Sequence, residues 1–349
     1  MNLNRSIGNI LNVLNQAGDR TITIFGDYCL DKYLYIDSAR NEPSVETGLT
    51  AYQVVKKGLY PGVGGTVANN LRALGAQVIC VGLVGEDGEG FELIEGLKLI
   101  GAETRWLVRS KSIVTNTYIK PMVGSDHEMY TEINRIDIRN FEETSEELEE
   151  LLLESLEQAL KVSQGVVVTD QFLERNYSAV TDRIRNELIR MSVSYPDKFF
   201  YVDSRGFPDC YQKVIVKCNQ FELPKVAEYS GEEDGDAILL GGKELLSING
   251  HAVVVTLGAD GSYVFEGDKV THVPAFAAPG PLDIVGAGDA TNAGVILGLT
   301  LGLTLPEAVM LGGCISSITI QQLGVTGTAT IDQVRQRLNN FIAKELKNE

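Results

Sequence analysis

The stretch Asp283–Gly294, DIVGAGDATNAG, decides the reading of the whole chain. Gly286, Ala287 and Gly288 run straight into Asp289, and an apolar segment with few breakers follows. Glycines on both sides of Ala287 let the backbone turn tightly and approach a ligand closely. The residues after Asp289 predict a helix start, which gathers free N–H groups and the positive dipole end at Gly286–Asp289. That is an anion pocket with a carboxylate beside it. A carboxylate there repels a bound phosphate unless it has chemical work, and the natural work is removing a proton from a hydroxyl that attacks a terminal phosphoryl group. The competing reading is a glycine-rich turn whose Asp caps the helix. Short glycine motifs do not separate the two by themselves.

The rest of the chain has an α/β rhythm. Ile7, Ile10, Leu11 and Leu14 recur at helical spacing, so the first segment is an amphipathic helix ending at Gly18. TITIFGD (21–27) is a buried strand that delivers Asp27 at its carboxyl end, with Asp31 four residues on. Ligands of open α/β sheets sit beyond the carboxyl ends of the strands, where such acids suit a hydroxyl-rich molecule. From Lys32 to Tyr60 the helical period disappears, and IVTNTYIKPM (113–122) is a second strand-like insertion. Together they predict a small sheet standing off the main domain as a lid, at about 32–60 and 111–123. Between them PGVGGTVANNLRALGAQVICVGLVGEDGEG (61–90) runs loop, helix, strand, loop, with neither GxGxxG nor GxxxxGK[ST]. Thr144 and Glu147 suggest a capping box for an acidic helix. Further strands are GVVVTD (165–170), FFYVD (199–203), VIVKC (214–218) and HAVVVTL (251–257), bringing Asp170, Asp203 and Asn219 to strand ends. Helices are predicted around 287–302, 305–322 and 331–346, in one domain, 1–349.

Composition narrows the function. With 349 residues, 44% hydrophobic and 22% charged, a sizeable core is available. A formal net charge of -17 argues against nucleic acid or an anionic membrane as partner, so any anionic ligand must be held by local N–H groups and a few Lys or Arg. Five cysteines without a CxxC pairing fit reduced thiols, and no uncharged run reaches the length of a membrane span. A cytoplasmic protein is expected. Asn219 and Glu222 form N-x-x-E, too few ligands for a protein-only metal cage but suited to a Mg²⁺ that keeps waters and is shared with nucleotide phosphates. A helix-cap Asn with a first-turn Glu is the plain alternative. TLGADG (256–261) puts glycines at a strand end, where a nucleotide could lie against backbone.

Taken in order, these pieces resemble the PfkB/ribokinase family of sugar kinases over roughly residues 20 to 345. The resemblance implies a ribokinase-like three-layer αβα domain with a central, mostly parallel sheet and a small β lid. It implies Asp289 as catalytic base, with the Gly286, Ala287 and Gly288 amides as anion hole. Asn219 and Glu222 would manage Mg²⁺ and phosphate, Thr256, Gly258 and Gly261 would line the nucleotide side, and Gly313 and Ser317 would stand near the adenine. Asp27 and Asp31, the loop residues Gly64, Gly65, Thr66 and Asn69, and the strand-end Asp170 are the expected substrate side. ATP and Mg²⁺ are the implied cofactors, with a monovalent cation and a homodimer through the lid left open.

Within the family, GDYCLDKYLY (26–35), SARNEP (38–43), NRID (134–137), VDSRG (202–206) and QQLGVTGT (321–328) resemble the kinase domain of bifunctional heptose-phosphate enzymes. Their nucleotidyltransferase half is not expected, because His127, His251 and His272 form no HxGH. In an ungapped comparison Thr66 stands where those kinases have the Asn of PGGAAN, and Val63 falls on a glycine. A gapped one from Gly64–Gly65 supplies Asn69 instead. Ile284 stands where Thr is commoner. Should the substrate carry a phosphate, Arg40, Lys120, Arg135 and Arg205 are the basic candidates. A sugar or sugar phosphate is therefore the expected acceptor. Fructose, ribose, a ketodeoxy acid or a nucleoside are alternatives, as is a non-catalytic sugar- or nucleotide-binding protein on the same fold.

Overall fold

The computed structural model describes residues 2–125, 128–223 and 235–348. Its strands, in chain order, are β1 (Thr21–Gly26), β2 (Tyr28–Asp37), β3 (Glu42–Pro43), β4 (Thr50–Ala51), β5 (Val54–Val63), β6 (Gln77–Gly85), β7 (Leu107–Ser110) and β8 (Thr117–Ser125). They continue with β9 (Glu128–Glu132), β10 (Ile136–Ile138), β11 (Gly165–Asp170), β12 (Phe199–Ser204), β13 (Ile215–Asn219), β14 (Ala252–Thr256), β15 (Ser262–Glu266) and β16 (Lys269–Val273). The helices are α1 (Leu3–Val13), α2 (Gly64–Ala73), α3 (Gly88–Leu99), α4 (Glu146–Leu160), α5 (Asp182–Ser194), α6 (Gly235–Asn249), α7 (Ala287–Thr300), α8 (Leu305–Thr319) and α9 (Ile331–Asn348).

Nine strands form the core sheet in the order β16-β15-β14-β13-β12-β11-β1-β6-β7. Every pairing from β14 to β7 is parallel, and only the β15–β16 hairpin runs against its neighbour. The chain steps from β1 through β6 to β7 in one direction, then restarts at β11 on the other side of β1 and steps outward. β1 and β11 therefore flank the point where the order reverses, and a crevice opens there at their carboxyl ends. Strands such as β11, GVVVTD, are buried at every position because helices cover both faces. One core gathers Ile7 and Ile10 of α1, Leu71 of α2, Leu97 of α3, and the inner faces of α7, α8 and α9. The other gathers Leu152 and Leu156 of α4, Leu188 of α5 and Leu245 of α6.

The lid is one sheet, in the order β10-β8-β2-β5, with β9 pairing β8. It begins at Tyr28, a single residue after β1 ends, and it takes in β9 and β10, part of the stretch YTEINRIDI. Its strands run from Tyr28 to Val63 and from Thr117 to Ile138, against the 32–60 and 111–123 anticipated from loss of helical period, because a strand leaving the core sheet carries no change of pattern. Tyr33, Tyr35, Tyr60 and Tyr130 pack ring against ring across it, and Lys32 donates to Glu89 and Glu92 of α3 at 3.1 and 2.8 Å, tying its root to the core.

Two local expectations shift. The cap of α4 is Ser145, whose side chain accepts from the N–H of Leu148, and Thr144 instead donates to the carbonyl of Ser178. A full capping box occurs at α8, between Thr304 and Glu307. The helix expected to start at Asn219–Glu222 falls largely on residues 224–234, which lie outside the described residues. Among the described residues no helix is long and apolar enough to cross a membrane.

Candidate active site

The N-terminus of α7 is where the chemistry concentrates. Gly286 is its N-cap with φ 79°, a left-handed conformation that a side chain would strain, and no side chain caps the helix. Asp289 is therefore not the cap. The N–H of Ala287 turns back to the carbonyl of Ile284 at 3.1 Å, so it is committed within the turn. That leaves Gly288 and Asp289 as first-turn N–H groups that no intrahelical carbonyl can satisfy. A Cβ on Gly286 would come within 3.2 Å of Thr66 Cγ2 and 3.4 Å of Thr326 Cγ2, so the turn is wedged between α2 and the 321–328 loop. Asp283 fixes the other side by accepting from the N–H of Val285 and of Gly324 at 3.1 and 3.0 Å.

Among the described residues the Asp289 carboxylate makes no close ion pair and accepts no hydrogen bond, and Lys217 acts on it only at longer range. Desolvation pushes its carboxyl up to about 8; Asp203 adds to the rise, Lys217 opposes it, and Asp31 adds again. Beneath it lies a network of buried groups. Lys217 Nζ donates to both oxygens of Asp203 at 3.0 Å, Asn292 Nδ2 donates to Asp203 at 2.6 Å, and Tyr201 donates to Asn292 Oδ1 at 3.2 Å. Burial alone would lower the Lys217 ammonium, but Asp203 and Glu222 hold it above its ordinary value. A Cβ on Gly288 would lie 3.5 Å from Lys217 Nζ, which places that charge against the anion turn. Sequence reasoning missed Lys217 and Asn292. The available sign was a lysine inside the apolar strand VIVKC.

The other strand ends hold different arrangements. Asp27 is buried and accepts from the N–H groups of Gln171, Phe172 and Ala179 at 2.9, 3.3 and 3.3 Å, tying β1 to the loop before α5. Burial, reinforced by Asp170, still raises its carboxyl to about 7. Asp170 has no exposed surface. It accepts from Arg185 through two nitrogens at 3.2 and 3.1 Å, from Ser204 at 2.8 Å and from Tyr211 at 2.8 Å. This placement gives Asp170 no free face toward the cleft, against its expected place among the substrate ligands.

Across the cleft the lid presents Asp31 and Lys120, paired at 2.9 Å. Lys120 also donates to Tyr33 at 3.0 Å. Arg135 forks onto Asp137 at 2.7 and 2.8 Å and stacks on the Tyr118 ring. Arg40 pairs with Asp37 out on the surface. At the start of α2, the N–H of Gly64 donates to the carbonyl of Asp27 at 3.1 Å. Gly65 and Thr66 are buried beside it and Asn69 is half-buried. Asn70, which sequence reasoning passed over, is fully buried and its amide bridges the carbonyls of Thr66 and Gly327, linking α2 to the loop behind the anion turn. Val63, which precedes α2, holds φ 55°. For a β-branched residue that is strained, and it explains why a glycine suits the position.

On the remaining side Asn219 and Glu222 cap each other. Asn219 Oδ1 accepts from the N–H of Phe221 and of Glu222, and the N–H of Asn219 donates to Glu222 Oε2 at 2.8 Å. One oxygen of Glu222 stays outside this cap, and burial raises its carboxyl, with Lys217 opposing. A single carboxylate oxygen fits a Mg²⁺ that keeps waters and shares phosphates, and among the described residues no cluster of three or more His, Cys, Asp and Glu could cage a metal. Thr256 stands beside Asn219 across the β13–β14 pairing, and Gly258 and Gly261 take positive φ in the turn that follows. Gly313 lies on α8 with open space over it. Ser317, one turn on, is buried and donates to the carbonyl of Cys314 while accepting from Arg337 at 3.0 Å.

Comparison with known proteins bears on the family and the fold. A family model described as pfkB family carbohydrate kinase matches residues 21–332. The bifunctional protein HldE of Helicobacter acinonychis is 26% identical over 334 residues, covering 95% of this chain and 69% of its own. That of Gluconobacter oxydans is 29% identical over 328 residues, covering 93% and 65%. The chain thus spans about two thirds of the length of these relatives. Arabidopsis thaliana ribokinase, solved with ribose and ATP, superposes with a TM-score of 0.67 at 18% identity over 91% of this chain and 98% of that one. Escherichia coli phosphofructokinase-2, solved with potassium, gives 0.70 at 18% over 93% and 99%. The fold is ribokinase-like.

Proposed function

The chain belongs to the pfkB family of carbohydrate kinases, and we propose that it transfers the terminal phosphoryl group of ATP to a hydroxyl of a sugar or sugar phosphate, with Asp289 as general base. One observation carries this reading. A carboxylate without a partner, raised to about 8, stands in the first helical turn beside N–H groups that suit a phosphate. A general base works best with a pKa near the operating pH, which a surface aspartate lacks.

In this mechanism Asp289 accepts the hydroxyl proton as the oxygen attacks, and the Gly288 and Asp289 N–H groups with the α7 dipole hold the transferred group's oxygens. Ala287 contributes the turn, its own N–H being engaged. Lys217, held by Asp203, adds fixed positive charge under the turn. Glu222 and Asn219 would hold Mg²⁺ through water and phosphate, and the ion supplies neutralisation of phosphate charge. The nucleotide would lie along Thr256, Gly258 and Gly261 toward Gly313 and Ser317. Asp31, Lys120, Gly64, Gly65, Thr66, Asn69 and Arg135 form the acceptor side; Asp27 supports it from below, and Asp170 anchors the neighbouring loop. The lid excludes water that would otherwise take the phosphoryl group. The exposed Val45, Leu49 and Tyr52 around the β3–β4 pair, with Val55 of β5, are where a second copy would pack, and a cytoplasmic setting suits the free, mostly buried thiols.

The test is ADP release with ATP·Mg²⁺ across a panel of sugars and sugar phosphates, beside Asp289→Asn. Sugar-dependent turnover that disappears in the variant supports the reading. A variant within about tenfold of wild type removes Asp289 as the base, since general bases contribute roughly 10²–10⁴.

A further inference from the structure

We infer that the acceptor is an uncharged polyol, a free sugar or sugar alcohol, and that the Asp31–Lys120 pair selects it over phosphorylated sugars. The inference rests on the kinase reading above and narrows its substrate class. It starts from the lid wall that faces α7. Asp31 and Lys120 meet at 2.9 Å with side chains only 14% and 13% exposed. Lys120 is held a second time by Tyr33, whose ring also lies 4.7 Å from its Nζ. Burial alone would lower the Lys120 ammonium; Asp31 and Tyr33 outweigh it and hold it well above its usual range.

The other basic side chains around this cleft are matched in the same way. Arg135 forks onto Asp137, Lys32 binds Glu89 and Glu92, and Arg139 pairs with Glu174 at 2.8 Å. Lys217 is held by both oxygens of Asp203, and the charge of Arg205 acts on Glu222, on the metal side. A phosphorylated acceptor brings about −1.5 to −2 of charge. It would have to draw a cation away from its carboxylate, leaving Asp31 or Asp137 uncompensated in a cleft that already contains Asp289. The formal net charge of -17 adds to that cost.

A hydroxyl asks for the opposite. It needs an ionised acceptor held in one direction, and Lys120 gives Asp31 both properties. A cavity of about 410 Å³ lies beside Asp27 at the end of β1. Its uncharged polar lining is hydroxyl and amide, including Ser112, Asn116, Asn140, Ser145, Tyr177 and Ser178. Its two basic residues, Lys111 and Arg139, are drawn to carboxylates elsewhere, Lys111 to Glu86 at 4.0 Å and Arg139 to Glu174, and the same wall carries Glu142 and Glu143. Such a lining recognises hydroxyl groups by paired donors and acceptors and offers a phosphate no excess of positive charge.

The experiment uses matched acceptors: ribose and ribose 5-phosphate, fructose and fructose 6-phosphate, mannose and mannose 6-phosphate, and a mannoheptose with its 7-phosphate, each with ATP·Mg²⁺. In every pair that turns over, the free sugar should have the larger kcat/KM by at least about tenfold, the value of one hydrogen bond to a charged group. Lys120→Met should raise the free-sugar KM about tenfold and change kcat less, and Lys120→Arg should restore it, because the cation orients a binding carboxylate. A preference for the phosphorylated member, with Lys120→Met raising only that member's KM, overturns the inference and leaves the kinase reading standing. No turnover of any acceptor with ATP binding intact overturns both.

Discussion

Asp170 and Asp289 both stand at the carboxyl edge of the core sheet, yet their surroundings are opposite. Asp170 receives four donated hydrogen bonds from Arg185, Ser204 and Tyr211, and Arg185 in turn lies over the Phe207 ring at 4.3 Å. Its charge is fully answered and it holds the 204–211 segment in place. Asp289 receives no donor, faces Asp203 and Asp31, and carries a carboxyl raised to about 8. The difference teaches that position at a strand end does not make an acid reactive. What matters is how many of its lone pairs the fold leaves unmatched.

The comparison can be broken most directly at Asp289. Asp289→Asn should lower kcat by about 10³ while ATP binding persists. The same variant should melt higher than wild type, and by more at pH 9 than at pH 5. A carboxyl raised from 3.8 to about 8 favours the protonated form in the folded state, so its stabilising contribution is complete below about pH 4 and is lost as pH rises through 8. Thermal melts at the two pH values check this; equal shifts would mean that Asp289 is not desolvated.

Arg185→Met tests the other pole. It leaves Asp170 charged and buried without its cation, and denaturant unfolding should show a loss of about 3–5 kcal/mol. Below the unfolding temperature kcat should stay within a fewfold of wild type. A large drop in kcat from a folded variant would make Asp170 part of the reacting site and dissolve the contrast.

The pH profile is the next sharpening. With Asp289 as base, kcat/KM should rise about tenfold per pH unit below 8 and level off above it, since this ratio reports the free enzyme. A limb near 4 would mean an unperturbed carboxylate. The smallest effect belongs to Val63, the strained residue at φ 55° before α2. Val63→Gly should stabilise the fold by about 1 kcal/mol, the relief of backbone strain less the entropy of a glycine. Destabilisation would show that its side chain packs more than its backbone strains.

Much of this was legible in the residues. The parallel sheet shows in the unbroken apolar runs GVVVTD and HAVVVT, since strands covered on both faces need no alternation. The anion turn shows in Gly286–Asp289, whose spacing is a local property of the backbone. The edge hairpin β15–β16 was passed over, because SYVFE and KVTHV carry no motif. Asp27 and Asp170 were not separable from Asp31 by sequence, because their partners at Ala179, Arg185 and Tyr211 are distant in the chain and meet only through the sheet. Lys217 was hidden for the same reason: its meaning depends on Asp203, in the next strand.

Only Asp27 separates the last residue of β1 from the first residue of the lid. Gly26, just before it, has φ 127°, and a Cβ there would lie 2.4 Å from the carbonyl of Thr169, so that joint is closed to any larger residue. The lid thus joins the core through a residue whose carboxylate also grips the 171–179 loop, so a tilt of the lid sheet would load the ends of β1 and β11 together.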